Sequence, residues 1–349
     1  MSDTTHTGVI LDPRTEVEKA KDFQADELVT FALVDWKEKP KSEWNKFPIR
    51  DQNGSLTCVA QTGAKVLGVE NHLEESKFIE FSARDIYERR ANKPSGGMWG
   101  QDALSILSKF GATTEEKLPS QNMHEYEIEA PFVRTEEDLI IAKKYRGGGY
   151  VQLPIDIDKV ADVVLNQKKA VMIYIFGDYS EWDVYIPKVN KPETTVNNAY
   201  FRHAITVVDA FLFKGEKCVL IEDSWGKGFG EQGQRIVTES FFKTRVYFAG
   251  YLLNLSNAPE QTLKPKYTFT KILKFGISNP DVKALQDVLK YEGLFPVTVP
   301  STGNYFQVTA KGVLAFQRKH KVANDVELVK LAGKLVGPKT LLALNNLYR

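Results

Sequence analysis

Apolar positions change their period midway along this 349-residue chain. In the first half they recur at helical intervals. Cys58 opens a stretch in which Val59, Ala60, Gly63, Ala64, Val66 and Leu67 are apolar or small at near-helical spacing, which predicts a helix. Ser82 is placed to cap a second, with Ala83, Ile86 and Tyr87 following. A third covers Gln101 to Phe110, with Ala103, Leu104, Ile106, Leu107 and Phe110 inward and Gly111 as its stop. The second half reads as strands. Ala170 to Phe176, Ala204 to Phe213 and Lys217 to Glu222 are short, β-branched and aromatic, and bounded by turn residues. Helices first and strands later predict an α+β fold in two lobes rather than alternating βαβ units. Active sites commonly lie between such lobes.

Residues 1–27 are charged and lack a core pattern, so they read as an arm. The main domain is expected over 28–256. Pro259 and Pro265 mark a linker over 257–272. A small domain of three helices is expected over 273–349, near Asp281–Tyr291, Val308–His320 and Gly337–Leu347. No fixed-period internal repeat is evident.

Composition is that of a globular protein, with 42% hydrophobic and 26% charged residues. A net charge of +1 supplies no field for nucleic acid or an anionic membrane. The polar N-terminus has no apolar stretch of signal-peptide length, and no run is long enough to span a membrane. Cytoplasmic synthesis is therefore expected, with release by lysis or a non-standard route if the protein acts at the cell envelope. Of the two cysteines, Cys218 lies in the apolar run Val219-Leu220-Ile221 and reads as a small buried thiol.

Cys58 is different because it sits at a helix start, where free N–H groups favour a thiolate. Alone it reads more readily as a small core residue. His203 at a strand start and Asp223 at a strand end supply a base and an orienting acid, the remaining parts of a nucleophilic triad. The histidines and cysteines have no metal-ligand spacing, and no cofactor is implied. The glycines of Gly226 to Gly230 follow no phosphate-loop pattern and read as a turn.

Four segments in this order resemble the papain family of cysteine peptidases: Asp35-Trp36-Lys37, Gln52 to Cys58, Arg202-His203-Ala204, and Asp223-Ser224-Trp225-Gly226 with the glycines that follow. The resemblance implies a two-lobed papain-like fold. It also implies that Cys58 is the nucleophile, His203 its base, Asp223 the orienting group and Trp225 a shield over their hydrogen bond. Gln52 would offer its amide to the oxyanion. Ser95, Gly96 and Gly97 would bind substrate backbone, and Met98 and Trp99 would line the main specificity pocket. The family usually has a cysteine where Ser55 stands, an aromatic where Val59 stands, and an asparagine where Asp223 stands. No long inhibitory propeptide is expected, since only about 30 residues precede the domain.

Segments from Asp281 to Gln286, Gly303 to Phe306, Thr309 to Gln317 and Val336 to Thr340, with Leu344-Asn345, resemble the peptidoglycan-binding domain type 1 family. The two resemblances together imply a cysteine endopeptidase tethered to bacterial cell wall, acting on a protein or on the peptide part of peptidoglycan. A phage-type lysin and a catalytically silent papain-like scaffold are the alternatives. The intact Gln52, Cys58 and His203 argue against the second.

Overall fold

The computed structural model describes residues 8–15, 19, 31–253, 264–295 and 301–349. They fall into two compact units, one holding 31–253 with the N-terminal residues 8–15 and 19, the other holding 264–349.

The first unit begins with a helical half. Helix α1 spans Cys58–Glu75, and every residue from Cys58 to Asn71 is buried. A helix enclosed on all sides must satisfy its polar side chains internally. It does so with ion pairs to the sheet. Lys65 pairs with Glu222, and Glu70 accepts from Lys169 Nζ at 2.7 Å and from the Ala170 amide at 2.8 Å. Helices α2 (Ala83–Glu88), α3 (Gly100–Lys109), α4 (Glu125–Ile128) and α5 (Glu136–Lys144) follow. Ser82 caps α2 as its sequence position predicts, accepting from the Asp85 amide at 3.2 Å. Phe110 departs from expectation. It lies past the end of α3, 47% exposed, with the Arg89 guanidinium 4.7 Å from its ring centre.

The second half forms one antiparallel six-stranded sheet. Its strands are β1 (Tyr150–Gln152), β2 (Val171–Gly177), β3 (Phe201–Phe213), β4 (Glu216–Glu222), β5 (Gln234–Thr238) and β6 (Val246–Leu252), in the order β1-β6-β2-β3-β4-β5. Helices α6 (Ile157–Leu165), α7 (Tyr179–Trp182) and α8 (Glu239–Arg245) punctuate the strands. Strand β2 is buried throughout, which explains its unbroken apolar run. Strand β3 is longer than the sequence pattern predicts because it begins at Phe201, two residues before His203. Strands β1 and β5 are short and carry polar residues, and the sequence pattern did not reveal them; it also missed β6, a seven-residue apolar and aromatic run.

The second unit contains the three expected helices, α9 (Pro280–Tyr291), α10 (Gln307–Lys319) and α12 (Pro338–Tyr348). It adds a fourth, α11 (Asp325–Leu331), and a ribbon of β7 (Leu273–Lys274) with β8 (Leu335–Val336). Its core includes Val282, Leu285, Leu289, Tyr305, Val313, Phe316 and Leu344. A structural repeat emerges here that the sequence reading missed. Gln286 Nε2 donates to the Asn304 carbonyl and Thr309 Oγ1, each at 2.9 Å. Gln317 Nε2 donates to the Leu335 carbonyl and Thr340 Oγ1, also at 2.9 Å. The two glutamine–threonine pairs have the same spacing, 286 to 309 and 317 to 340. Buried Val282, Val313 and Leu344, and Leu285 with Phe316, keep the same interval, but few other positions do, so the period is faint along the chain.

Candidate active site

Cys58 is the first residue of α1, and the helix opens without a side-chain cap. Its first-turn N–H groups are therefore not consumed by a capping side chain. The preceding loop is held from within. Ser55 Oγ donates to the Gln52 carbonyl at 2.6 Å and lies 2.7 Å from Thr57 Oγ1. That pair of hydrogen bonds supplies local bracing where the family usually has a disulfide.

Strand β3 carries His203 to the same place. The imidazole is fully buried, and its Nε2 is 2.6 Å from Asp223 Oδ1, just past the end of β4. Cys58 acts on the ring as well, through a hydrogen bond and through its charge. Burial disfavours the charged imidazole. The Asp223 carboxylate, its hydrogen bond and Cys58 outweigh that cost and raise His203 to about 9. Burial likewise pushes the Asp223 carboxyl up, but His203 and Arg235 overcome this and bring it down to about 2. Trp225 lies with its ring centre 4.9 Å from that of His203, and is itself buried. Cys218 sits wholly enclosed in β4, where burial pushes its thiol up to about 12.

Gln52 joins the site from the loop. Its amide N–H donates to the Ser224 carbonyl at 2.8 Å, and its side-chain oxygen accepts from Ser224 Oγ at 2.8 Å. Its Nε2 donates to the Ser55 carbonyl at 2.5 Å, which leaves the second Nε2 hydrogen for another acceptor. Lys65 reaches from α1 to Glu222 and to the Pro48 carbonyl at 2.5 Å, which ties α1 to the strand that leads to Asp223.

The opposite wall differs from expectation in two respects. Gly97, in the left-handed region at φ +73°, has its backbone groups engaged within its own wall. Its N–H donates to Tyr87 Oη at 2.7 Å, and its carbonyl accepts from Asn92 Nδ2 at 3.0 Å. Ser95 is exposed, and its carbonyl accepts from Arg90 Nε at 2.9 Å. Gly96 packs close to Leu56. The pairing edge is therefore Met98 rather than Gly97. The Met98 side chain is enclosed in the apolar cluster that also holds Val9, Tyr174 and Phe248, and Trp99 is buried beside α3.

The second departure is that the Met98 edge is already paired. Met98 N–H donates to the Gly8 carbonyl at 2.9 Å, and Ile10 N–H donates to the Met98 carbonyl at 3.2 Å. Val9 forms a parallel bridge with Met98 and is buried. A Cβ built on Gly8 would stand 2.8 Å from Cys58 Sγ, so this segment runs directly over the sulfur. Three residues suffice to cover Cys58, because a glycine lets the backbone approach that closely.

Sequence reasoning missed several contributors. Glu125 accepts from the Leu56 amide at 2.7 Å and from Tyr87 Oη at 2.7 Å, and Tyr87 in turn holds Gly97, so one chain of bonds joins both walls. Arg235 and Trp182 both donate to Asp223 Oδ2.

A family model described as papain family cysteine protease matches residues 32–244. Mouse (Mus musculus) cathepsin S is 24% identical over 208 residues, covering 57% of this chain and 56% of that protein. A cysteine protease of Blomia tropicalis is 23% identical over 208 residues, covering 57% and 58%. The alignments thus span a little over half the length of these curated relatives. Among solved structures, xylellain, a cysteine protease from Xylella fastidiosa, aligns with a TM-score of 0.56 at 18% identity. That alignment covers 72% of this chain and 97% of xylellain, and at this identity it shows the fold alone. With its family match spanning more than half its residues, this chain belongs to the papain family of cysteine proteases.

Proposed function

We propose that this protein is a cysteine endopeptidase that works through Cys58, His203 and Asp223, and that its C-terminal unit tethers it to bacterial cell wall. The observation that carries the first part is the buried His203, bonded to Asp223 through Nε2 and under the influence of Cys58 at the same time. The Cys58 thiolate attacks the scissile carbonyl carbon, and the carbonyl oxygen takes the negative charge. The Cys58 N–H and the remaining Gln52 Nε2 hydrogen are the donors for it, each such donor typically contributing about 3 kcal/mol to the transition state. His203 then gives its Nδ1 proton to the leaving amine, and the carbon–nitrogen bond breaks to leave a thioester. A water, deprotonated by the neutral imidazole, attacks the thioester and releases the acid and the thiolate. Asp223 keeps the ring oriented in both halves, and Trp225 keeps water from their bond.

The resemblance of residues 281–345 to peptidoglycan-binding modules and the compactness of that unit support the tether. Substrates follow as proteins at the envelope or the peptides of peptidoglycan. The test is incubation of the full chain with a peptide library and with purified sacculi under reducing conditions, cut bonds being identified by mass spectrometry. Cleavage at defined peptide bonds, blocked by thiol alkylation, is the expected result. No cleavage of either substrate, even after removal of residues 1–14, would overturn the reading.

A further inference from the structure

Asp223 is a charged group where related sites use a neutral amide, and it is wholly enclosed. An unpaired carboxylate there would cost several kcal/mol. Strand β5 supplies the partner. Arg235 stands opposite Ile221 in the β4–β5 ladder and is fully buried. Its Nη1 donates to Asp223 Oδ2, and its Nε donates to the Trp182 carbonyl at 3.0 Å. The guanidinium lies between two indoles, 4.7 Å from the ring centre of Trp182 and 5.6 Å from that of Trp225. Trp182 Nε1 donates to the same carboxylate oxygen at 3.3 Å. The two oxygens of Asp223 are thus divided. Oδ2 faces the cation and an indole N–H, whereas Oδ1 faces His203 at 2.6 Å and the Ser224 amide at 2.7 Å.

We propose that Arg235 is a positioning residue for the reaction, fixing the Asp223 carboxylate and offsetting part of its charge, so that His203 faces a weaker anion than a lone carboxylate would be. This inference rests on the triad reading above. Its physical basis is simple. A lone carboxylate would hold the imidazolium too tightly to release its proton to a leaving amine, and a lone buried guanidinium would repel it. Together they leave a dipole whose acceptor end points at Nε2. The other charges about the cluster are Cys58 on α1, Asp183 after α7, and two internal ion pairs, Glu181 with Arg245 and Lys65 with Glu222.

The test is a cycle of full-length variants: wild type, Asp223→Asn, Arg235→Met and the double substitution, read as pH profiles of kcat/KM. Asp223→Asn alone leaves the guanidinium facing the ring, so its alkaline limb moves down by at least one pH unit and turnover near neutrality falls at least tenfold. Adding Arg235→Met to it brings the limb back up and restores turnover severalfold. Arg235→Met alone moves the limb above that of wild type. The same order is expected for the His203 ring titration followed by nitrogen NMR in a Cys58→Ala background. That readout needs no peptide turnover, so failure of this inference and failure of the peptidase reading are separate results. A double variant no better than Asp223→Asn, or a folded Arg235→Met with an unmoved limb, overturns the proposal. If Arg235→Met does not fold, the double variant decides. A double variant that fails to fold where Asp223→Asn folds would show that Arg235 is retained for packing between the indoles, which also overturns it.

Discussion

Gly8 and Cys58 approach so closely that a single added methyl on the glycine would stand 2.8 Å from the sulfur. The segment that contains Gly8 also occupies the Met98 backbone edge, so any peptide pairing there would have to displace it. Gly8→Ala should therefore loosen it. Overpacking of this kind costs about 1–3 kcal/mol, which corresponds to roughly 5- to 150-fold in the population of the open site. Alkylation of Cys58 by iodoacetamide should accelerate within that range, and peptide turnover should rise with it. An unchanged labelling rate would mean that the segment does not limit access.

The two cysteines should behave differently toward the same reagent. Cys218 is enclosed in β4 and its thiol is held high, so it should stay unlabelled in the folded chain at pH 8. Peptide mapping after labelling checks this. Equal labelling of Cys218 and Cys58 in Gly8→Ala would contradict the assignment.

His203 and Asp223 also imply a stability profile. The His203 value lies above that of an unfolded histidine, about 6.5. Its contribution is then fully present below that pH and is lost as pH rises through about 9. Asp223 is depressed, so its contribution is present above about pH 4 and is lost as pH falls through about 2. Urea unfolding of wild type and His203→Ala from pH 5 to 10 should show the gap between them shrinking between about 6.5 and about 9. A gap constant over that range would mean that the ring is not charged in the folded protein.

Lys65 and Glu222 form a buried pair that ties α1 to β4. Glu222→Gln leaves the ammonium without its counter-charge and should lower stability by about 3–5 kcal/mol. Thermal unfolding measures it. A loss below 1 kcal/mol would show that the Pro48 carbonyl alone satisfies Lys65.

The sequence was most legible where one residue type had one physical job. α1 could be read from its spacing, and β3 and β4, which bring His203 to Asp223, from their β-branched and aromatic runs. What could not be read depends on residues meeting across the chain. Arg235 lies in a strand too short to declare a period, and its meaning depends on Asp223 and two tryptophans brought together by folding. The hydrogen bonds that Tyr87 and Asn92 make with the Gly97 backbone likewise join residues that no local pattern connects. The contact of Gly8 with Cys58 joins residues fifty apart in a segment with no core pattern.

The central claim is that Cys58 performs the chemistry. Its most direct test is kcat/KM for one defined peptide, compared between wild type and Cys58→Ala, with matched unfolding curves showing that both are folded. Losing the nucleophile of such a triad typically costs a factor of roughly 10⁴–10⁶, so turnover by Cys58→Ala should be at or near background. Activity within tenfold of wild type would contradict the account.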